Sequence, residues 1–168
     1  PEKAEPLMQQ VIDIHKKTFG EEHPATSEAQ NTLGEYFLNL GRFDDAQPLL
    51  EASLAAREKS MGPDHPATAQ SLNNLAVLHG NKGEFDTAEP LHRRALEIRR
   101  KHFGEKHIAV TQSLENMAAL LRVREKPDEA AEWRAKLPAA QPVHRMRIFS
   151  AASLLTSSTN ILSWVILT

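Results

Sequence analysis

The sequence predicts an all-α fold in which about three antiparallel helix pairs stack behind one preceding helix, and three observations carry that prediction. A heptapeptide returns at a fixed interval: GEEHPAT at 20–26, GPDHPAT at 62–68 and an altered GEKHIAV at 104–110, each 42 residues after the last. Laying residues 22–62 on 64–104 without a gap gives 17 identities in 41 positions, among them His23/His65, Leu33/Leu75, Gly41/Gly83, Phe43/Phe85, Ala46/Ala88 and Pro48/Pro90. Gapless self-similarity of this length marks stacked repeats. Within the units, Leu72, Leu75, Ala76 and His79, then Leu114, Met117, Ala118 and Leu121, stand at i, i+3, i+4 and i+7, the spacing of one helix face.

The elements follow in order. Residues 3–19 read as the trailing helix of an incomplete unit; pairs follow at 25–61, 67–103 and 109–137, with an apolar tail at 138–168. The trailing helix of the second pair carries its stripe on Ala88, Leu91, Ala95 and Ile98, with Phe103 at the far end. GRFDDA (41–46) and GEFDTA (83–88) put Gly just past the leading helix, where a left-handed cap favours a residue without Cβ, and Asp before the trailing helix as its expected N-cap. Pro48 and Pro90 are expected in the opening turn of the trailing helix. The heptapeptide is then a joint: Gly20 or Gly62 ends one pair, the residue before proline leaves the α region, and Pro24 or Pro66 starts the next helix. The third unit departs, with Ile108 in place of proline and Glu125 in place of the turn glycine, and its trailing helix stops near Leu137-Pro138.

Composition narrows the function classes. A chain of 168 residues, 40% hydrophobic and 25% charged, suits a globular or repeat protein, and a net charge of −2 gives no reason to expect a polyanionic partner. The absence of cysteine excludes disulfides, thiol catalysis and Cys-ligated zinc, and is compatible with a cytoplasmic setting. The chain begins at Pro1 without an apolar leader, so it reads as an excised piece with no secretory signal.

Leu33-Gly34, Phe37, Gly41 and Ala46, then Leu75-Ala76, His79, Gly83 and Ala88, then Met117-Ala118, Leu121 and Ala130, resemble the tetratricopeptide repeat over about residues 1–137. AEPLHRRALEIRRKHFGEKH and HPATAQSLNNLAVLH are similar to the 42-residue repeats of kinesin light chains, nephrocystin-type proteins and the sensor arrays of some signalling ATPases. The resemblance implies a right-handed α-α superhelix, with leading helices lining a concave groove that binds an extended peptide or a partner helix. Groove residues are then Asn31, Glu35, Leu38 and Asn39 in the first pair, Gln70, Asn73, Val77 and Asn81 in the second, and Gln112, Glu115 and Arg122 in the third. Asn31/Asn73 and Asn39/Asn81 form repeated amide rungs, able to donate and accept along a peptide backbone. The family's carboxylate clamp needs Lys and Asn one turn apart; the pairs here are Asn31/Glu35, Asn73/Val77 and Glu115/Ala119, so it is absent. The kinesin light chain pattern has Asn where Asn31 and Asn73 stand and is associated with cargo peptides.

Other readings carry less. HRRALEIRRKH (92–102) is basic but has no interleaved aromatics, so it reads as a solvated face and not as a nucleic-acid site. The eight histidines show no metal-ligand spacing, and His23, His65 and His107 share the joint position, so they are assigned to loops. No phosphate loop or nucleophile motif points to an enzyme, and no cofactor is expected. A structural segment of a larger ATPase or cytoskeletal regulator, self-associating through the array ends, is the alternative. All 22 acidic residues precede the tail, and residues 148–168 carry no charge. That stretch is long enough to span a bilayer, but TSSTN at its centre opposes insertion. A membrane contact could come only through it, and a cap helix or a non-native end are its other readings.

Overall fold

The structure, a computed structural model, describes residues 4–137, and among them it holds seven helices and no strand. They are α1 (Ala4–Phe19), α2 (Pro24–Asn39), α3 (Phe43–Met61), α4 (Pro66–Asn81), α5 (Phe85–Phe103), α6 (Ile108–Val123) and α7 (Pro127–Ala135). The expectations for the tail fall outside the described residues. Helix α2 pairs with α3, α4 with α5 and α6 with α7, while α1 packs on α2, α3 on α4 and α5 on α6. The leading helices α2, α4 and α6 also touch one another in sequence, so the whole is an all-α solenoid. No helix among the described residues is long and apolar enough to cross a membrane.

The joint shows why its residues recur. Gly20 and Gly62 adopt φ of 93° and 97°, which L side chains rarely take. His23 and His65 sit in extended backbone as N-caps, each Nδ1 accepting the N–H of Ala25 or Ala67 at 3.1 Å. Pro24 and Pro66 fill the first helical position, where no N–H is missed. Thr26 and Thr68 then donate their hydroxyls back to the carbonyls of Gly20 and Gly62, at 2.7 and 2.9 Å. The third joint keeps Gly104 and the His107 cap, whose Nδ1 accepts from Ala109 at 3.2 Å, but a buried Val110 replaces the threonine. His23, His65 and His107, assigned to loops, are therefore caps, whereas His15, His79, His92 and His102 lie within helices.

Two local expectations need correction. The Asp residues of GRFDDA and GEFDTA are not N-caps: α3 and α5 begin at Phe43 and Phe85, and their N-caps, Arg42 and Glu84, make no side-chain cap bond. Asp44, Asp45 and Asp86 lie inside the first turn, where they complement the helix dipole. Because the helices start earlier, Pro48 and Pro90 fall inside them, in the second turn, and each removes one i→i−4 bond.

The core consists of three clusters, two of which reach from one pair into the next. One cluster joins Ile12 of α1, Leu33 and Phe37 of α2, Leu50 of α3 and Leu75 and Leu78 of α4. A second joins Ala69 and Leu72 to Ala95 and Ile98, and a third joins Leu96 to Val110, Leu114 and Met117 of α6 and Trp133 of α7. Close approach within the first pair depends on Gly34, because a Cβ there would stand 2.7 Å from Leu50 Cγ and Cδ2. Gly34→Ala should therefore lower stability by about 1–3 kcal/mol despite its better helix propensity. Thermal melting checks this, and an unchanged or higher Tm would contradict it. Conversely Glu125, at the third unit's turn, is forced to φ 61°. Glu125→Gly should relieve about 1 kcal/mol and raise Tm by roughly 3 °C in the same assay.

Candidate functional site

A cavity of about 490 Å³ opens on the side of the leading helices. Glu35 comes to it from α2, Gln70, Asn73 and Asn74 from α4, Arg99 and Phe103 from the end of α5, and Gln112 and Asn116 from α6. Helical spacing explains the gathering: Gln70, Asn73 and Asn74 stand at i, i+3 and i+4, one face of α4, and Gln112 and Asn116 repeat Gln70 and Asn74 after 42 residues.

Of the residues singled out from sequence, Glu35, Gln70, Asn73 and Gln112 line this cavity. Asn31 does not: it is 1% exposed, and its Oδ1 accepts from Asn74 Nδ2 at 3.1 Å while its Nδ2 donates to Glu35 Oε1 at 3.1 Å. It holds two cavity residues in place from beneath. Asn73 does both jobs, since it lines the cavity while its Oδ1 accepts from Asn116 Nδ2 at 2.9 Å. The amide rungs thus run between neighbouring pairs, 31 to 74 and 73 to 116. Leu38 packs on the core around Leu33 and Phe37, Val77, Asn81 and Glu115 are half-buried, and Asn39 and Arg122 are exposed; none of these six lines the cavity.

The reading of 92–102 as a solvated face fails at Arg99, which is buried, and Arg57 was passed over. Arg57 and Arg99 are equivalent after 42 residues, and they are 0% and 8% exposed. Arg57 Nη1 donates to Ala67 O at 2.8 Å and Ser71 Oγ at 3.0 Å; Arg99 Nη1 reaches Ala109 O at 3.4 Å and Ser113 Oγ at 2.7 Å. Each strut ties a trailing helix to the next leading one. The signal was present, because both arginines are among the 17 identities and both follow the apolar stripe of their helix.

The two struts differ in charge balance. Arg57 Nη2 pairs with the Glu28 carboxylate, whereas the residue 42 positions beyond Glu28 is Gln70. Burial pushes both guanidinium groups below their ordinary value, but for Arg57 Glu28 opposes the shift, and for Arg99 no carboxylate does. Beside Arg99 lies His92, a core residue at the position of Leu50, whose Nδ1 has no partner among the described residues. Burial, and then the charge of Arg99, push its pKa down to about 4.

A family model described as tetratricopeptide repeat matches residues 1–59, 36–101 and 73–134. Among solved structures, a variant of the kinesin light chain-type nearly identical TPR-like repeats of Podosopora anserina aligns with a TM-score of 0.73 at 26% identity, over 80% of this chain and 64% of that one. A second structure of the same repeats gives a TM-score of 0.66 at 26% identity with the same coverage of 80% and 64%. BtubC (BKLC) from P. vanneervenii gives 0.69 at 24% identity over 87% of this chain and 61% of that one, a likeness of fold alone. The chain thus spans less than two thirds of the length of each of these structures. No curated protein matches it.

His92 generates a pH prediction. Its folded pKa of about 4 lies below the ordinary histidine value of 6.5, so the unfolded chain takes up the proton first and stability falls as pH drops from 6.5 toward 4. The penalty at pH 5 is about 2 kcal/mol relative to pH 7. His92→Leu should remove that part of the acid sensitivity in urea titrations at the two pH values, and an unaltered pH dependence would contradict it.

Proposed function

The chain belongs to the tetratricopeptide repeat family, and from that premise we propose that it is a non-enzymatic interaction scaffold whose concave groove takes an extended peptide in the manner of kinesin light chain cargo sites. One observation carries this reading: a concave cavity lined by five side-chain amides, with Phe103 at its edge and a buried, acid-free guanidinium in its wall. Gln70, Asn73, Asn74, Gln112 and Asn116 supply donors and acceptors matched to a backbone, and Phe103 supplies apolar area. Arg99 keeps Nη2 free of any protein acceptor among the described residues, so an acidic peptide side chain would replace the carboxylate that Glu28 gives Arg57.

A second reading, self-association through the array ends, draws on α1. Leu7 and Ile14 are 60% and 59% exposed and share a face with Val11, whereas in the complete pairs their equivalents Ala56 and Ile98 are buried and Leu49 and Leu91 are half-buried.

Gln70→Glu discriminates between them. It places an acid near Arg99 as Glu28 stands by Arg57, at the loss of the Gln70–Glu35 hydrogen bond, so with the helical content unchanged it should weaken acidic peptides, selected from a random dodecapeptide display library on the wild-type chain, by about tenfold. Fluorescence anisotropy reads the affinity. Unchanged affinity, together with a mass in sedimentation that halves in Leu7→Glu/Ile14→Glu, would favour self-association instead.

A further inference from the structure

We propose that the same groove also carries a cation-selecting subsite at Glu35, so that it accepts an extended peptide bearing one basic and one acidic side chain and holds it in a single direction; this rests on the groove reading above. Glu35 has no counterpart in the other pairs, where Val77 and Ala119 stand at its position, so packing of the repeat does not require a carboxylate there. Yet it is held firmly. Its Oε1 receives hydrogens from Asn31 Nδ2 at 3.1 Å, Asn74 Nδ2 at 2.6 Å and Gln70 Nε2 at 3.2 Å. Three neutral amides orient the group without neutralising it. Its Oε2 has no partner among the described residues, and Glu35 lines the cavity.

The surrounding charges sharpen the case. The cation that acts on Glu35 through space is Arg57, and Arg57 is already ion-paired with Glu28. Glu35 itself makes no ion pair among the described residues, and its carboxylate lies in a half-buried setting where a cation is attracted more strongly than in open water. At the other side of the cavity Arg99 has the opposite imbalance, because Gln70 stands where an acid would be, and Gln70 itself turns to Glu35. A negative pole on α2 and a positive pole on α5 therefore face one space lined with backbone-matching amides. A peptide laid in reverse would bring like charges together at both poles.

The test uses the whole chain and fluorescein-labelled nonapeptides of Ser and Leu that carry one Lys and one Asp at varied separation, in both orders, with norleucine replacing Lys in a control set. Anisotropy should favour one order and show about a tenfold loss on Lys→norleucine. In Glu35→Gln, which keeps the Oε1 acceptor for the three amides, that loss should vanish. Equal binding of Lys and norleucine peptides, or of both orders, overturns the cation subsite; if Gln70→Glu still weakens those peptides, the groove reading stands without it. Binding of no labelled peptide overturns both.

Discussion

Every feature of this molecule depends on one constraint: no helix pair can shield its own apolar flank, so each leading helix must be covered on both sides. Helix α4 shows this most clearly. Leu75 and Leu78 face the cluster that begins on α1, and Leu72 faces Ala95 and Ile98 of its own partner. Removing either neighbour would return fully buried leucines to water, at about 2 kcal/mol for each side chain. The polar ties obey the same period. Arg57 to Ser71, Arg99 to Ser113, Asn31 to Asn74 and Asn73 to Asn116 repeat one geometry after 42 residues, which fixes the rotation between units and hence the curvature that forms the groove.

Buried arginine is a costly way to build such a strut, since a guanidinium removed from water needs its donors satisfied. The first strut satisfies Nη1 and Nη2 with two helix-side acceptors and Glu28, and leaves the buried Nε without a partner among the described residues. The second lacks the carboxylate. The difference between the two struts is a single residue, Gln70 in place of an acid, and it turns a structural position into an electrostatic one without moving the backbone. In the proposed reading, binding draws on departures from the repeat, at Gln70, Glu35 and Phe103, set on a frame built by the repeated residues. His92 is a departure of another kind, a polar ring in a leucine's place, and its cost appears as acid sensitivity.

The fold was legible because the period, the joint and the helical stripes agree, and each arises from local chemistry: positive φ at glycine, proline at a helix start, apolar residues at i, i+3 and i+4. Helix starts after the short turns were harder, because Phe43 and Phe85 enter the helix ahead of the aspartates that favour capping, which places Pro48 and Pro90 deeper than expected. The groove was only partly legible. Glu35, Gln70, Asn73 and Gln112 follow from the leading-helix face, but Arg99 and Phe103 arrive from a trailing helix, and that requires knowing how pairs stack. Asn31 and Asn73 are identical in sequence yet differ in role, since Asn31 is covered by Asn74 and Glu35 while Asn73 stays at the cavity wall. A residue-by-residue comparison of repeats, Glu28 with Gln70 and Leu50 with His92, would have found the changed charge and the polar residue in a leucine's place before any coordinates.

Hydrogen exchange on Leu75→Ala, read helix by helix by mass spectrometry, tests the shared covering most directly. Leu75 lies on α4 in the cluster that reaches α1, α2 and α3. If neighbouring pairs shield one another, the cavity left there should speed exchange in α2 and α3 as well as in α4 and α5, by about tenfold or more. Acceleration confined to α4 and α5, with α2 and α3 exchanging as in the wild type, would contradict it.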